Sequence, residues 1–448
     1  MADRMADRTT GGARGAGTGE TLVRGGTVID RTGSRRADVR VVDGRVVEVA
    51  EGLDPAPGAR VLEAGGCVVA PGLVDLHTHL REPGREEAET IESGTRAAAL
   101  GGYTAVVAMP NTDPPLDSAE SVRNVFALAD QAMAEVAVAG AITVGRAGER
   151  LAPMAELADL GVRLFTDDGD GVQSAGLMRR ALQYATGLGV ILGQHCEDRS
   201  LAAGGTMHEG AWSSRLGLPG MPSEAEEVMV ARDIALSRAT GGRVHFLHLS
   251  TAGSIDLVRR ARAEGVPVTA EVAPHHFTLT DGCAAGYDPV FKVNPPLRPQ
   301  EDVDAVKAAL ADGTADAIAT DHAPHAPELK DLPFDQAPPG MLGLQTALAL
   351  SLTELDLPIE RLLALLSWQP AALCGLDAAH GGAHGGPVEP GAPANLCVID
   401  PTATWTVDPT ALASRSRNTP YAGRTLTGRV RHTVLAGEPV VIDAEAQR

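Results

Sequence analysis

Lysine is nearly missing from this chain: among its 38 basic residues only Lys292, Lys307 and Lys330 are lysines, and none falls between His77 and His195. Whatever chemistry that interval carries must use other groups. Paired cysteines are missing too. Cys67, Cys196, Cys283, Cys374 and Cys397 are odd in number, widely spaced and form no C-x-x-C pair. Neither a disulfide framework nor a thiolate zinc site is indicated, and a reducing cytoplasm is expected. Positive charge is scarce: 58 acidic against 38 basic residues give a formal net charge of -20. That argues against a nucleic-acid partner, which needs clustered positive charge, and favours solubility. No stretch approaches the roughly 18 consecutive apolar residues of a membrane span, so no membrane is expected. Residues 1–20 repeat Met-Ala-Asp-Arg and run on in Gly, Ala and Thr, without the apolar segment of a secretory signal; a disordered tail is expected there.

What is present is an ordinary globular composition, 44% hydrophobic and 21% charged over 448 residues, enough for one large and one small domain. From 21 to 69 the chain reads as short β pieces broken by Gly-Gly, Thr-Gly and Asp-Gly turns, and Val42-Asp43-Gly44-Arg45-Val46 is a hairpin signal. After Ala70-Pro71-Gly72 apolar runs alternate with helical patterns, the signature of parallel βαβ units. Eight strands are expected, at 73–77, 104–109, 136–142, 164–166, 190–194, 244–247, 268–272 and 317–320. A helix with an acidic start is expected at 86–100, stopped by Gly101-Gly102. His77 and Asp321 lie 244 positions apart, close to the roughly 250 residues of a (β/α)8 barrel. Residues 322–340, rich in Pro and polar residues, are expected to form a mobile cover over the barrel mouth. Beyond 386 short strands resume. Neither flanking β piece can bury a core alone, so the two are expected to join. The fold class is therefore α/β: a TIM barrel at 71–385, inserted in a small β-sandwich domain formed by 21–70 and 386–448.

The barrel is organised around Gly72-Leu73-Val74-Asp75-Leu76-His77-Thr78-His79-Leu80-Arg81. Alternation along a strand points Asp75, His77 and His79 the same way, so two imidazoles can grip one ion. Later runs end in Asp167-Asp168, in His195, in His248 and in Asp321, all on the C-terminal rim where barrel active sites sit. Nitrogen and carboxylate ligands without thiolates suit zinc first, with manganese or cobalt compatible by ligand type. Arg81, two residues past His79, stays on the same side and offers a charged fork for an anion. His275 and His276 read as supporting or structural, and His208, His245, His380, His384 and His432 have no placed partner. Cys196 reads as a small core residue.

These motifs, with Ala108-Met109-Pro110-Asn111-Thr112, Lys292-Val293-Asn294-Pro295-Pro296-Leu297-Arg298 and Ala319-Thr320-Asp321-His322-Ala323-Pro324-His325, resemble the amidohydrolase superfamily, and more narrowly the bacterial class I dihydroorotases. The resemblance covers about 21–443. It implies His77, His79, Asp168, His195, His248 and Asp321 as metal ligands, with Asp321 also the catalytic acid/base. It implies Zn2+, one ion or two, bridged by Asp168. Hydantoinases, dihydropyrimidinases, allantoinases and class II dihydroorotases are known for a carboxylated lysine near the fourth strand, and this interval has none. Asp168 is preferred to Asp167 because it falls 27 positions before His195 as the family spacing suggests; Asp167 should face away.

The implied reaction is the reversible cyclisation of N-carbamoyl-L-aspartate to L-dihydroorotate in pyrimidine synthesis, through a metal-activated hydroxide. Arg81 would clamp the substrate carboxylate with Asn111 as neutral partner, and Asn294, His325 and the backbone at Pro339 and Gly340 would complete the pocket. Expected partners are the small-molecule substrate and a second copy in a homo-oligomer such as a dimer, with docking of an aspartate carbamoyltransferase left open. The alternatives are another cyclic amidase, such as an allantoinase or hydantoinase, and a non-catalytic scaffold for a carbamoyltransferase. The missing lysine and Arg81 speak against the first, and six filled ligand positions against the second.

Overall fold

The computed structural model describes residues 19–448, so all but the last two residues of the tail expected at 1–20 lie outside the described residues. Strands β1 (Thr21–Asp30), β2 (Gly33–Val42), β3 (Arg45–Ala50), β4 (Arg60–Glu63) and β5 (Val68–Pro71) come first. The β2–β3 turn is Asp43-Gly44, at φ 49° and 78°, the doubly left-handed turn that suits the twist of a hairpin.

The barrel follows. Strands β6 (Leu73–Thr78), β7 (Tyr103–Ala108), β8 (Glu135–Gly140), β9 (Leu164–Thr166) and β10 (Ile191–Gln194) lead to a short outer ribbon, β11 (Met207–His208) with β12 (Gly220–Met221). Then come β13 (Val244–Phe246), β14 (Val268–Val272) and β15 (Ala317–Ile318). The eight barrel strands pair in chain order, β6 through β15, and every pairing is parallel. Each of the eight expected strands is present. β6 and β7 are buried along their whole length, as parallel strands covered on both faces must be.

The first barrel helix is shorter than expected. It spans Ile91–Leu100 rather than starting at 86, because Thr90 and Ser93 form a reciprocal capping box that begins the helix after the acidic run. That leaves Glu89 in the preceding loop, free to turn inward.

The barrel closes without a regular ladder between β6 and β15. Instead Thr78 and His322 form a parallel bridge, and the His79 amide donates to the His322 carbonyl at 2.9 Å. The buried Asp75 carboxylate completes the seam, accepting from the Thr320 amide and hydroxyl and from the Thr78 hydroxyl. Asp75 thus serves the seam rather than the ligand face.

The barrel floor is plugged by the helical run Ile359–His380. By length and composition this run could cross a membrane, but half of its most apolar window is buried inside the protein. Its Ser367 hydroxyl donates to the Gly72 carbonyl at 2.8 Å, and Ala371 and Cys374 pack on Val74, Leu76 and Ala317. A turn of π-helix, Ala364–Trp368, sits where it meets the base of β6.

The chain ends with β16 (Leu396–Thr406), β17 (Thr425–Leu435), β18 (Glu438–Ile442) and β19 (Glu445–Ala446). Both ends of the chain share one nine-stranded mixed sheet, ordered β19-β18-β17-β16-β5-β1-β2-β3 with β4 beside β1. The sheet bends at register shifts and folds back on itself, so that Gly44 in the β2–β3 turn abuts Ala436 and Gly437 after β17. Val39, Val46, Leu62, Val69, Leu396 and Val434 meet in the resulting sandwich core.

Candidate metal centre

Six side chains converge at the C-terminal rim. His77 ends the apolar run of β6, and His79 follows with the same facing. Asp168 lies just past β9, His195 directly after β10, His248 just past β13 and Asp321 just past β15. All six are at most 6% exposed. The Asp168 carboxylate is divided between two pairs of rings. Its Oδ2 lies 3.4 Å from His77 Nε2 and 3.5 Å from His79 Nε2, while its Oδ1 lies 3.6 Å from both His195 Nδ1 and His248 Nε2. Asp321 Oδ1 faces the first pair, 3.5 Å from His77 Nε2 and 3.3 Å from His79 Nε2. Two overlapping triads able to hold an ion result, His77/His79/Asp321 and His77/Asp168/His248.

Asp167 points the opposite way, as alternation requires. It accepts from the Ile142 and Thr143 amides at 2.9 and 3.0 Å and from the Thr143 hydroxyl.

The outer contacts of the imidazoles set their tautomers. His77 Nδ1 lies 2.9 Å from Glu271 Oε1, and a carboxylate can only accept, so Nδ1 carries the proton. His79 Nδ1 donates in the same way to Asn111 Oδ1 at 2.9 Å. Each ring therefore turns an Nε2 lone pair into the centre. His77 Nε2 and Asp168 Oδ1 are buried there without a hydrogen-bond partner among the described residues. Two buried polar atoms with no partner, set among imidazole nitrogens and carboxylate oxygens, fit a cation.

The electrostatics agree. Burial opposes charge on His77, His195, Asp168 and Asp321, yet their mutual attractions win; on His79 burial, with the charge of Arg81, prevails and lowers the ring's pKa. Asp168 is held well below the usual carboxylate range by His77 and His248, and Asp321 is lowered by His79 and His77. Burial alone would depress His77 and His195; Asp168 reverses this for His77, and Glu197 with Asp168 for His195. Glu271, pushed up by burial, is drawn down to about 2 by His245 and His77.

The expected substrate residues gather beside this centre, several with contacts of their own. Arg81 is 6% exposed and adopts φ 63°; its Nε donates to the Pro324 carbonyl at 3.1 Å. Burial lowers its pKa to about 10, so it stays charged at neutral pH. His325 Nε2 donates to the Pro339 carbonyl at 2.8 Å, leaving its Nδ1 as an acceptor. The Gly340 amide donates to the Lys292 carbonyl at 2.9 Å. The Asn111 carbonyl is engaged by His79. The Asn294 amide is held 2.5 Å from Glu197 Oε2, beside His195, while its Oδ1 is buried without a partner.

Sequence reasoning missed Glu271, Glu197 and the value of His245. His245 is partnered, bridging Glu271 Oε2 at 3.1 Å and the Thr269 hydroxyl at 2.8 Å. An acid within the apolar run of β14 was the available signal. His275 Nε2 lies 4.0 Å from Asp321 Oδ2, and His276 donates to the Pro295 carbonyl at 3.0 Å. His384 is structural, held by Thr104 and Glu135. All five cysteines are free thiols, and burial pushes Cys196 well above its ordinary range, as a core residue rather than a nucleophile.

Comparison with known proteins agrees with this geometry. The family described as Dihydro-orotase-like matches residues 66–254. The dihydroorotase of Pelotomaculum thermopropionicum is 50% identical over 429 residues, covering 94% of this chain and 98% of its own. That of Streptomyces coelicolor is 48% identical over 433 residues, covering 95% and 99%. Among solved structures, an L-hydantoinase from Arthrobacter aurescens superposes with a TM-score of 0.84 at 25% identity, covering 96% of this chain and 97% of that one. Near-half identity sustained along almost the whole of both chains means that this protein belongs to the dihydroorotase family, whose members are metal-dependent cyclic amide hydrolases.

Proposed function

We propose that this chain interconverts N-carbamoyl-L-aspartate and L-dihydroorotate as a class I, zinc-using enzyme, with residues 71–385 as the catalytic unit. One observation supports the class above all: an aspartate, Asp168, presents its two oxygens to two separate pairs of histidines in an interval that contains no lysine. The ligands are His77, His79, Asp168, His195, His248 and Asp321. A bound zinc would polarise the substrate carbonyl and make a bound water acidic enough to attack near neutral pH.

The chain's own groups do the rest. Arg81 holds the substrate carboxylate in a charged fork inside a buried pocket, where a lysine could supply only a point charge. His325 Nδ1, fixed as an acceptor by the Pro339 contact, can receive a ring N–H. Asp321 takes the proton of the attacking water and returns it to the leaving ring nitrogen; the reverse sequence releases water and closes the ring. Burial keeps bulk water from competing for these contacts.

The experiment is a metal analysis of the purified protein with an ultraviolet assay of dihydroorotate hydrolysis, alongside hydantoin and allantoin. Zinc with turnover of dihydroorotate alone is expected. Turnover of hydantoin or allantoin instead would select another cyclic amidase, and neither metal nor turnover would select a scaffold.

A further inference from the structure

The small domain sends one segment, 414–418, onto the rim of the barrel. Its anchor is Glu89, the carboxylate left inward by the late start of the first barrel helix. Glu89 accepts from the Ser414 hydroxyl, from the Arg415 amide at 3.0 Å and from His322 Nε2 at 3.2 Å. The Ser416 hydroxyl donates to the Ala88 carbonyl at 2.7 Å. Thus held, the segment ends in Asn418, which is 5% exposed.

Asn418 satisfies its whole side chain on the loop 322–340. Its Oδ1 accepts from the His325 amide at 3.3 Å, and its Nδ2 donates to the Ala323 carbonyl at 3.0 Å and the Gly340 carbonyl at 3.1 Å. Its own carbonyl accepts from the Leu342 amide at 3.1 Å. One amide therefore ties the start of the loop to its end. The junction is close enough that Gly340, at φ 148°, has no room for a side chain: a Cβ would lie 2.6 Å from His325 Nε2. Between the two points that Asn418 holds on the first strand of the loop, at Ala323 and His325, lies Pro324, whose carbonyl receives Arg81 Nε.

We propose that Asn418 is a positioning residue of the substrate-carboxylate clamp. It touches no substrate. By fixing the backbone at Ala323, His325 and Gly340 it sets the aim of the His325 ring and, through the Pro324 carbonyl, of the Arg81 guanidinium. This rests on the reading of Arg81 and His325 as substrate contacts. The small domain is in consequence part of the binding apparatus, although no metal ligand comes from it.

Two variants test this. Asn418→Ala removes all three side-chain bonds; Asn418→Asp keeps the shape and the acceptor but turns an oxygen toward two carbonyls. In both, KM for dihydroorotate should rise about tenfold or more, from the loss of buried hydrogen bonds, with kcat within about threefold and bound metal unchanged. Amide hydrogen exchange should quicken in 323–342 and not in the barrel strands. An unchanged KM, or a fall in kcat with loss of metal, would overturn the assignment. If the wild-type chain does not turn over dihydroorotate, the proposed function fails separately, and exchange in 323–342 as slow as wild type in both variants would still refute the clamp.

Discussion

Asp75 on β6 holds Thr320 beyond β15 at two points, accepting from its amide at 2.7 Å and its hydroxyl at 2.6 Å. The residue after Thr320 is Asp321, whose backbone sits at φ 46°, a conformation that a non-glycine residue adopts only where its surroundings impose it. A seam carboxylate is thus coupled to the proposed acid/base. Asp75→Ala should cost about 3 kcal/mol or more, since it strands buried donors. It should also lower kcat, because Asp321 loses its constraint. Chemical denaturation with steady-state kinetics on the same variant checks both.

Asp167 and Asp168 are neighbours with separable effects. Asp168→Asn should release bound metal and abolish turnover, because both ring pairs lose their shared anion. Asp167→Ala should retain metal and lower stability by about 1–3 kcal/mol, having left the Ile142 and Thr143 amides unsatisfied. Metal analysis and thermal unfolding separate the two outcomes.

Glu271 holds the ring of His77, one of the proposed metal ligands, at 2.9 Å. With Glu271→Leu the His77 ring loses the acceptor that fixes its tautomer. Metal affinity should fall by about 10–100-fold, read by competition with a chelator. An undiminished affinity would leave the Glu271–His77 contact with a packing role alone.

Asp321→Asn should retain metal while losing roughly three orders of magnitude in turnover, the usual worth of a positioned acid/base. Arg81→Lys should raise KM with kcat little changed, since a point charge replaces a fork. Near-normal turnover in the first, or an unchanged KM in the second, would remove those roles.

Stability should fall on acidification, in part through His208. Burial first, then the guanidinium of Arg298 at 3.1 Å from Nδ1, push its pKa down to about 4 from 6.5. The folded state requires the neutral ring, so this contribution is complete above about pH 6.5 and is lost as pH falls toward 4. Urea midpoints across that window should drop for the wild type and drop less steeply for His208→Gln.

The barrel and the convergence of six side chains at its rim were legible because parallel strands are apolar throughout, so a histidine or aspartate at the end of such a run stands out. Asp168 was preferred to Asp167 on the spacing that the family resemblance implies, and the structure turns Asp167 away toward the Ile142 and Thr143 amides. The supporting groups were not legible for physical reasons. Glu271 and His245 occupy adjacent strands and find each other only once β13 and β14 pair. Asn418 lies in a different domain from the loop that it pins. The acidic stretch 86–89 looked like a helix start, and the Thr90–Ser93 capping box overrode it. The barrel seam could not be read, since a closure made by one isolated bridge, Thr78 to His322, and the Asp75 carboxylate leaves no pattern along either strand.

The sheet assembled from both chain ends has a consequence for biosynthesis. Strand β5 pairs with β1 on one side and β16 on the other, and Cys397 reaches back to Pro71 across 326 positions. During translation β1 to β5 emerge first, and β5 then waits with an open edge while the whole barrel is made. An unpaired edge is an invitation to other nascent chains. Strand β16, made only after the barrel, is therefore the one that covers β5, and an mRNA truncated after the barrel codons would yield a chain with a whole barrel and an exposed, adhesive flank.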